Sequence, residues 1–144
     1  MTPRQKLLVQ ATFEKAELNA DLVGELFYRQ LFNLDPGLKA LFKTDIDEQG
    51  RCLMRMIAMM VKALDYPDEF QRLVGELGRR HAGYGVGGRQ YETVGKAFLW
   101  ALEAGIGGQF TPEVREAWAA FYAVLADSMK DERAAEAGQV VLRL

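Results

Sequence analysis

Apolar residues recur along this chain at intervals of three and four, the repeat of a helix with one face turned inward. The clearest run is Leu53, Met56, Ile57, Met60, Val61 and Leu64, with Gln49 one turn before Leu53 on the same face. A second run, Phe70, Leu73, Val74 and Leu77, continues at the same spacing into His81. Val94, Phe98, Ala101 and Leu102 form a third face; Val114, Ala117, Trp118, Phe121 and Leu125 form a fourth; Leu26, Phe27, Leu31 and Leu34 form a fifth. No stretch alternates with the two-residue period of a strand between turn residues, so the pattern predicts an all-α fold whose core these faces supply.

Helix starts are marked by proline, whose missing N–H is no loss in a first turn, beside residues able to cap the remaining amides. Thr2-Pro3, Asp35-Pro36, Pro67-Asp68 and Thr111-Pro112-Glu113 predict four starts. Asp45 with Glu48 three residues on has the spacing of a capping box, Gly87-Gly88 precedes the run from Tyr91 to Ile106, and Asn19 is placed to cap a seventh helix. No repeat or linker divides residues 1–144, which read as a single domain. About residues 131–144 form a peripheral tail, charged through Glu136 and then closing as Val140-Val141-Leu142-Arg143-Leu144.

Composition narrows the function. A chain of 144 residues can bury roughly 70% of its unfolded surface without staples. A formal net charge of -2 gives no electrostatic footprint for nucleic acid. Cys52 is the single cysteine, which forbids an intrachain disulfide and suits a reducing, cytoplasmic setting. No run approaches the ~20 apolar residues that would span a bilayer, so no membrane partner is expected.

His81, the chain's single histidine, sits at the end of an apolar helix face and is followed by Gly83, Gly85, Gly87 and Gly88. One ring nitrogen could reach a metal while the other donates to the carbonyl one turn back, at Leu77. A surface or satisfied core histidine has the same spacing. Tyr28 follows Gly24 by one turn, and Gln49 directly precedes Gly50. Glycine inside a helix costs about 0.8–1 kcal/mol relative to alanine, and close crossing of two backbones would justify it. If Gly24 meets Gly50, Tyr28 and Gln49 converge on a space lined by Leu53 and Phe42. Spacing alone equally allows a core-rim tyrosine and a solvated glutamine. Met54, Met56, Met59 and Met60 share a helix with Gln49 and read as core filling.

Leu26-Phe27-Tyr28-Arg29-Gln30-Leu31-Phe32, Asp35-Pro36, Leu41-Phe42, Gln49-Gly50, Leu77-Gly78-Arg79-Arg80-His81 and Tyr84-Gly85-Val86, taken in order, resemble bacterial single-domain globins and the heme domain of flavohemoglobins. The likeness runs over about residues 3–130. It implies a globin fold, a three-over-three helical sandwich whose helices cross near 50° around a heme pocket. It also implies heme b (iron protoporphyrin IX) with His81 as axial iron ligand, Phe42 stacked on the ring, Leu53 as the apolar distal wall, and Leu77 and Val86 against the cofactor. Tyr28 and Gln49 would face the bound gas. Tyr91 matches the tyrosine that flavohemoglobins set beside the proximal histidine. At its partner glutamate this chain departs, with Arg133 at that position and Glu132 adjacent.

The ligands so implied are oxygen, nitric oxide and carbon monoxide, and the implied activity is nitric oxide dioxygenation to nitrate. The chain has no glycine-rich dinucleotide motif, so electrons are expected from a separate reductase. An oxygen carrier or storage protein, or a gas sensor without turnover, is the alternative. A single histidine excludes bis-histidine ligation within one chain. Arg51, Arg79 and Arg80 flank the implied pocket and are candidates for pairing with heme carboxylates.

Overall fold

The computed structural model describes residues 1–42, 45–81 and 88–135, and within them every side chain except those of Leu41, Arg80, His81, Arg89 and residues 129–135. All regular structure among the described residues is helical. Six α-helices, α1 (Pro3–Leu18), α2 (Ala20–Leu34), α3 (Ile46–Lys62), α4 (Pro67–His81), α5 (Gly88–Ile106) and α6 (Pro112–Ala135), are joined by 3₁₀ turns at Pro36–Leu41, Ala63–Asp65 and Gly107–Gln109. No described helix is long and apolar enough to cross a membrane.

The helix starts show which local signals held. Thr2 and Gln5 cap α1 reciprocally, the Gln5 amide donating to Thr2 Oγ1 at 3.1 Å and the Thr2 amide to Gln5 Oε1 at 2.9 Å. Thr111 Oγ1 accepts from Val114 N at 3.2 Å and starts α6. Three other starts differ from expectation. Pro36 opens a 3₁₀ turn rather than an α-helix. Asp45 caps α3 through the amide of Asp47 at 3.2 Å, the second helical amide and not the third that a capping box engages. Asn19 stands at the head of α2 without capping it; its side-chain amide donates to the Gly105 carbonyl at 3.3 Å and ties the α1–α2 corner to the end of α5.

The predicted stripes form the core, with Leu53, Ile57, Met60, Val61, Leu64, Phe70, Leu73, Val74 and Leu77 all buried. Leu34, at the end of α2, is exposed, and Leu26, Met56 and Val94 pack from the rim. α1 adds Val9, Phe13 and Ala16, a face blurred in the sequence by Leu7 and Leu18, which project into solvent. At the centre lies Trp118, with no exposed surface. Its indole N–H donates to Thr12 Oγ1 at 2.9 Å, and the Thr12 hydroxyl donates onward to the Leu8 carbonyl at 2.6 Å. The rings of Phe13, Phe98 and Phe121 surround it at centroid distances of 6.1, 5.9 and 5.3 Å. Trp100, on α5, is 40% exposed.

α2 packs against α3 and α5, α4 against α6, and α1 against α3, α5 and α6. This is the pairing of a sandwich with α1, α3 and α4 over α2, α5 and α6. α3 and α4 touch each other sparsely, so each finds most of its partners elsewhere.

Candidate functional site

The site is built on the crossing of α2 and α3. A Cβ on Gly24 would lie 2.9 Å from Gly50 Cα and 3.0 Å from its carbonyl carbon and oxygen. On Gly50 it would lie 3.3 Å from Gly24 Cα and C. Contact between the two backbones therefore excludes a side chain at Gly24 and leaves a tight fit at Gly50, as their helical positions suggested. Tyr28 stands one turn beyond Gly24 and Gln49 one residue before Gly50, and both are buried, at 0% and 8% exposure. The alternatives of a rim tyrosine and a solvated glutamine are thereby removed.

Tyr28 is enclosed by aromatic rings: Phe27 at 4.8 Å, Phe42 at 5.2 Å, both edge-on, and Phe32 at 6.0 Å. Phe42 follows the 3₁₀ turn at Pro36–Leu41 and is half-buried. Within this cage the Tyr28 hydroxyl is buried and has no hydrogen-bond partner. Burial pushes its pKa up, and neighbouring Cys52 acts in the same direction, so the phenol keeps its proton and remains a donor. Leaving such a group unpaired costs about 1–3 kcal/mol, so an orphan at this depth calls for an explanation.

Leu53 lies one turn beyond Gln49 on α3, and Leu77 lies on α4 one turn before His81; both are buried. His81 is the last residue of α4, but its side chain lies outside the described set, as does Val86 entirely. Glu132 falls in the last turns of α6, and its side chain, like that of Arg133, also lies outside the described residues. Arg51 and Arg79 are exposed, and the Arg80 side chain is not among those described.

Tyr91 is buried on α5, and it has a neighbour that sequence patterns did not single out. The Tyr122 hydroxyl donates to the Tyr91 carbonyl at 2.6 Å. Burial, and then Tyr91, hold the Tyr122 phenol above its ordinary pKa and keep that donor protonated. Its ring fits where Gly95 has no side chain: a Cβ there would be 2.8 Å from Tyr122 Cε2. The available signal was a glycine in the interior of the Tyr91–Ile106 run, where helix propensity argues against one. Tyr122→Phe is expected to lower stability by about 1 kcal/mol, the net worth of one hydrogen bond, read from urea unfolding. A loss indistinguishable from zero would mean that the bond does not hold α5 to α6.

A family model for globins matches residues 25–129. Flavohemoprotein from Deinococcus radiodurans is 30% identical over 132 residues, spanning 90% of this chain and 33% of that protein. Flavohemoprotein from Rhizobium meliloti is 28% identical, with 88% and 32% covered. The chain thus spans about a third of the length of these flavohemoproteins. Neuroglobin from Danio rerio is 27% identical over 143 residues and is covered to 90%, as is this chain. Among solved structures, a hexacoordinated heme protein from an anhydrobiotic tardigrade, determined at pH 4, superposes with a TM-score of 0.81 over 93% of this chain and 96% of that one. At 18% identity that likeness carries the fold alone.

Proposed function

As this chain belongs to the globin family, we propose that it is an oxygen-binding heme protein. In this reading His81 is the axial ligand of heme b, a Tyr28/Gln49 pair faces the gas, and the activity is conversion of nitric oxide to nitrate. The observation that carries the reading is the Tyr28 hydroxyl, fully buried, protonated and without a partner in an aromatic cage. A polar atom of a bound ligand would relieve the cost of leaving that donor alone. The residues present fit a flat apolar cofactor: Phe42, Leu53 and Leu77 offer apolar surface, and α3 and α4 touch each other sparsely.

Bound there, heme supplies the iron at which gases bind and the electron transfer that the oxidation of nitric oxide needs. The chain's own contribution is selective stabilisation and exclusion of water. Tyr28 O–H and the Gln49 amide both donate, so a ligand that gathers negative charge is held more tightly than one that stays neutral. At about 1.5 kcal/mol per bond, each donor slows release roughly tenfold. Tyr91 and Glu132 are assigned to the side of His81, where Arg133 replaces the acid expected beside it. Turnover draws electrons from a separate reductase in a reducing cytoplasm.

The likeness to neuroglobin covers nearly the full length of both chains, whereas that to the flavohemoproteins covers a third of theirs. A buried donor at Tyr28 serves ligand retention with or without turnover, so the second reading is an oxygen carrier or gas sensor without turnover. Absorption spectra of the ferric, ferrous and oxygenated forms test heme binding directly. In stopped-flow measurements, Tyr28→Phe is expected to raise oxygen dissociation about tenfold and to change carbon monoxide release far less. An oxygen rate unmoved by that substitution would overturn the assignment of Tyr28. Nitrate formation from nitric oxide with a reductase present separates the enzyme from the carrier.

A further inference from the structure

Two hydroxyls of α6 end on backbone carbonyls of the two helices that flank His81 in the chain. Ser128 Oγ donates to the Val74 carbonyl of α4 at 3.2 Å, and the Tyr122 hydroxyl to the Tyr91 carbonyl of α5 at 2.6 Å. Resting on the heme reading above, we propose that Ser128 and Tyr122 are positioning residues for the axial ligand: from α6 they fix the backbone on either side of His81, and so its placing toward the cofactor.

Neither bond follows from local chemistry. A serine inside a helix ordinarily turns its hydroxyl to the carbonyl one turn back, which here is that of Val124. Ser128 reaches across to α4 instead. Tyr122 is seated by the absence of a side chain at Gly95, where a Cβ would lie 2.8 Å from its ring, and its ring centroid is 6.0 Å from that of Phe98. Both acceptors lie inside helices, where the amide four residues on is their regular partner. Satisfying those carbonyls is therefore not the reason for either bond. What the bonds add is a fixed relation between helices.

The anchors stand where that relation bears on His81. Val74 precedes His81 by seven residues, two turns along the same face of α4, so a displacement at one is carried to the other. Phe121 supports the contact from α6, its ring 6.4 Å from that of Phe70, one turn before Val74. Tyr91 lies in the first turn of α5, and helix ends are where local opening begins. Pinning that turn fixes where the chain re-enters the fold after His81. Since α4 touches α3 sparsely and packs mainly on α6, α6 is the element able to set its position.

The test uses the full chain loaded with heme. His81 is the single histidine, so the iron–imidazole stretching band of the ferrous, ligand-free protein in resonance Raman spectra has one source. Ser128→Ala and Tyr122→Phe are each expected to shift and broaden that band. Each is also expected to speed heme transfer to a scavenging apoglobin about fivefold, the factor that corresponds to one net hydrogen bond. Ser128→Thr keeps the hydroxyl and is expected to keep the original band. Asn19→Ala removes a comparable bond, to the Gly105 carbonyl at 3.3 Å, and is expected to lower stability without moving the band. A band and a heme-transfer rate unmoved in both Ser128→Ala and Tyr122→Phe, or moved equally by Asn19→Ala, would overturn the proposal. Failure of the heme reading shows in the unsubstituted chain, as an absent Soret or iron–imidazole band, and would remove the positioning role with it.

Discussion

Trp118→Ala is expected to lower the free energy of unfolding by about 3–5 kcal/mol, the range for removing a large aromatic from a packed core. The side chain has no exposed surface and touches rings from three other core positions, so its removal leaves a void that Phe13, Phe98 and Phe121 cannot all collapse into. Truncation also strips Thr12 Oγ1 of its indole donor, an acceptor on a 6%-exposed residue of α1. Against a total stability of about 5–15 kcal/mol, this loss is a large fraction. Urea unfolding followed by circular dichroism measures it. A cost below about 1 kcal/mol would mean that α1, α5 and α6 do not share the core described above.

Gly24→Val is expected to cost about 3 kcal/mol, the upper end of the usual overpacking range, because the obstruction is backbone. The first added carbon already lies 2.9–3.0 Å from Gly50 main-chain atoms, which cannot rotate away as a side chain would. The gain in helix propensity, under 1 kcal/mol, opposes this and is too small to win. Gly75→Ala provides the contrast. Its nearest obstruction is the far end of Arg79 at 3.4 Å, so the same propensity gain there is expected to stabilise the chain by several tenths of a kcal/mol. Thermal unfolding of the two variants should move in opposite directions. A neutral Gly24→Val would refute the requirement for contact at this crossing.

The sequence made the architecture legible where one face of a helix is apolar along its whole length. The stripes of α3, α4 and α6 could be read residue by residue because burial on one side leaves a period that nothing else produces. α1 was harder, since Leu7 and Leu18 interrupt the face that Val9, Phe13 and Ala16 define. Caps were read less well than stripes. Asn19 has the residue type of a cap, yet its amide is claimed by Gly105, eighty-six positions away. Local propensity cannot anticipate such a tertiary partner. The Gly24–Gly50 crossing was foreseeable from the cost of helical glycine, and the pairing of Tyr122 with Tyr91 was not, because a carbonyl leaves no mark in the sequence.

The two indoles of this chain live in opposite surroundings, and an optical consequence follows. In the heme-free chain, where no porphyrin quenches the indoles, Trp118, sealed from water with its N–H committed to Thr12, is expected to emit at shorter wavelength than Trp100, which meets solvent on α5. A water-soluble quencher such as iodide reaches the second and not the first. Ultraviolet emission therefore separates into a surface signal and an interior signal without any attached dye, and loosening of the interior registers as a red shift of the shielded component alone.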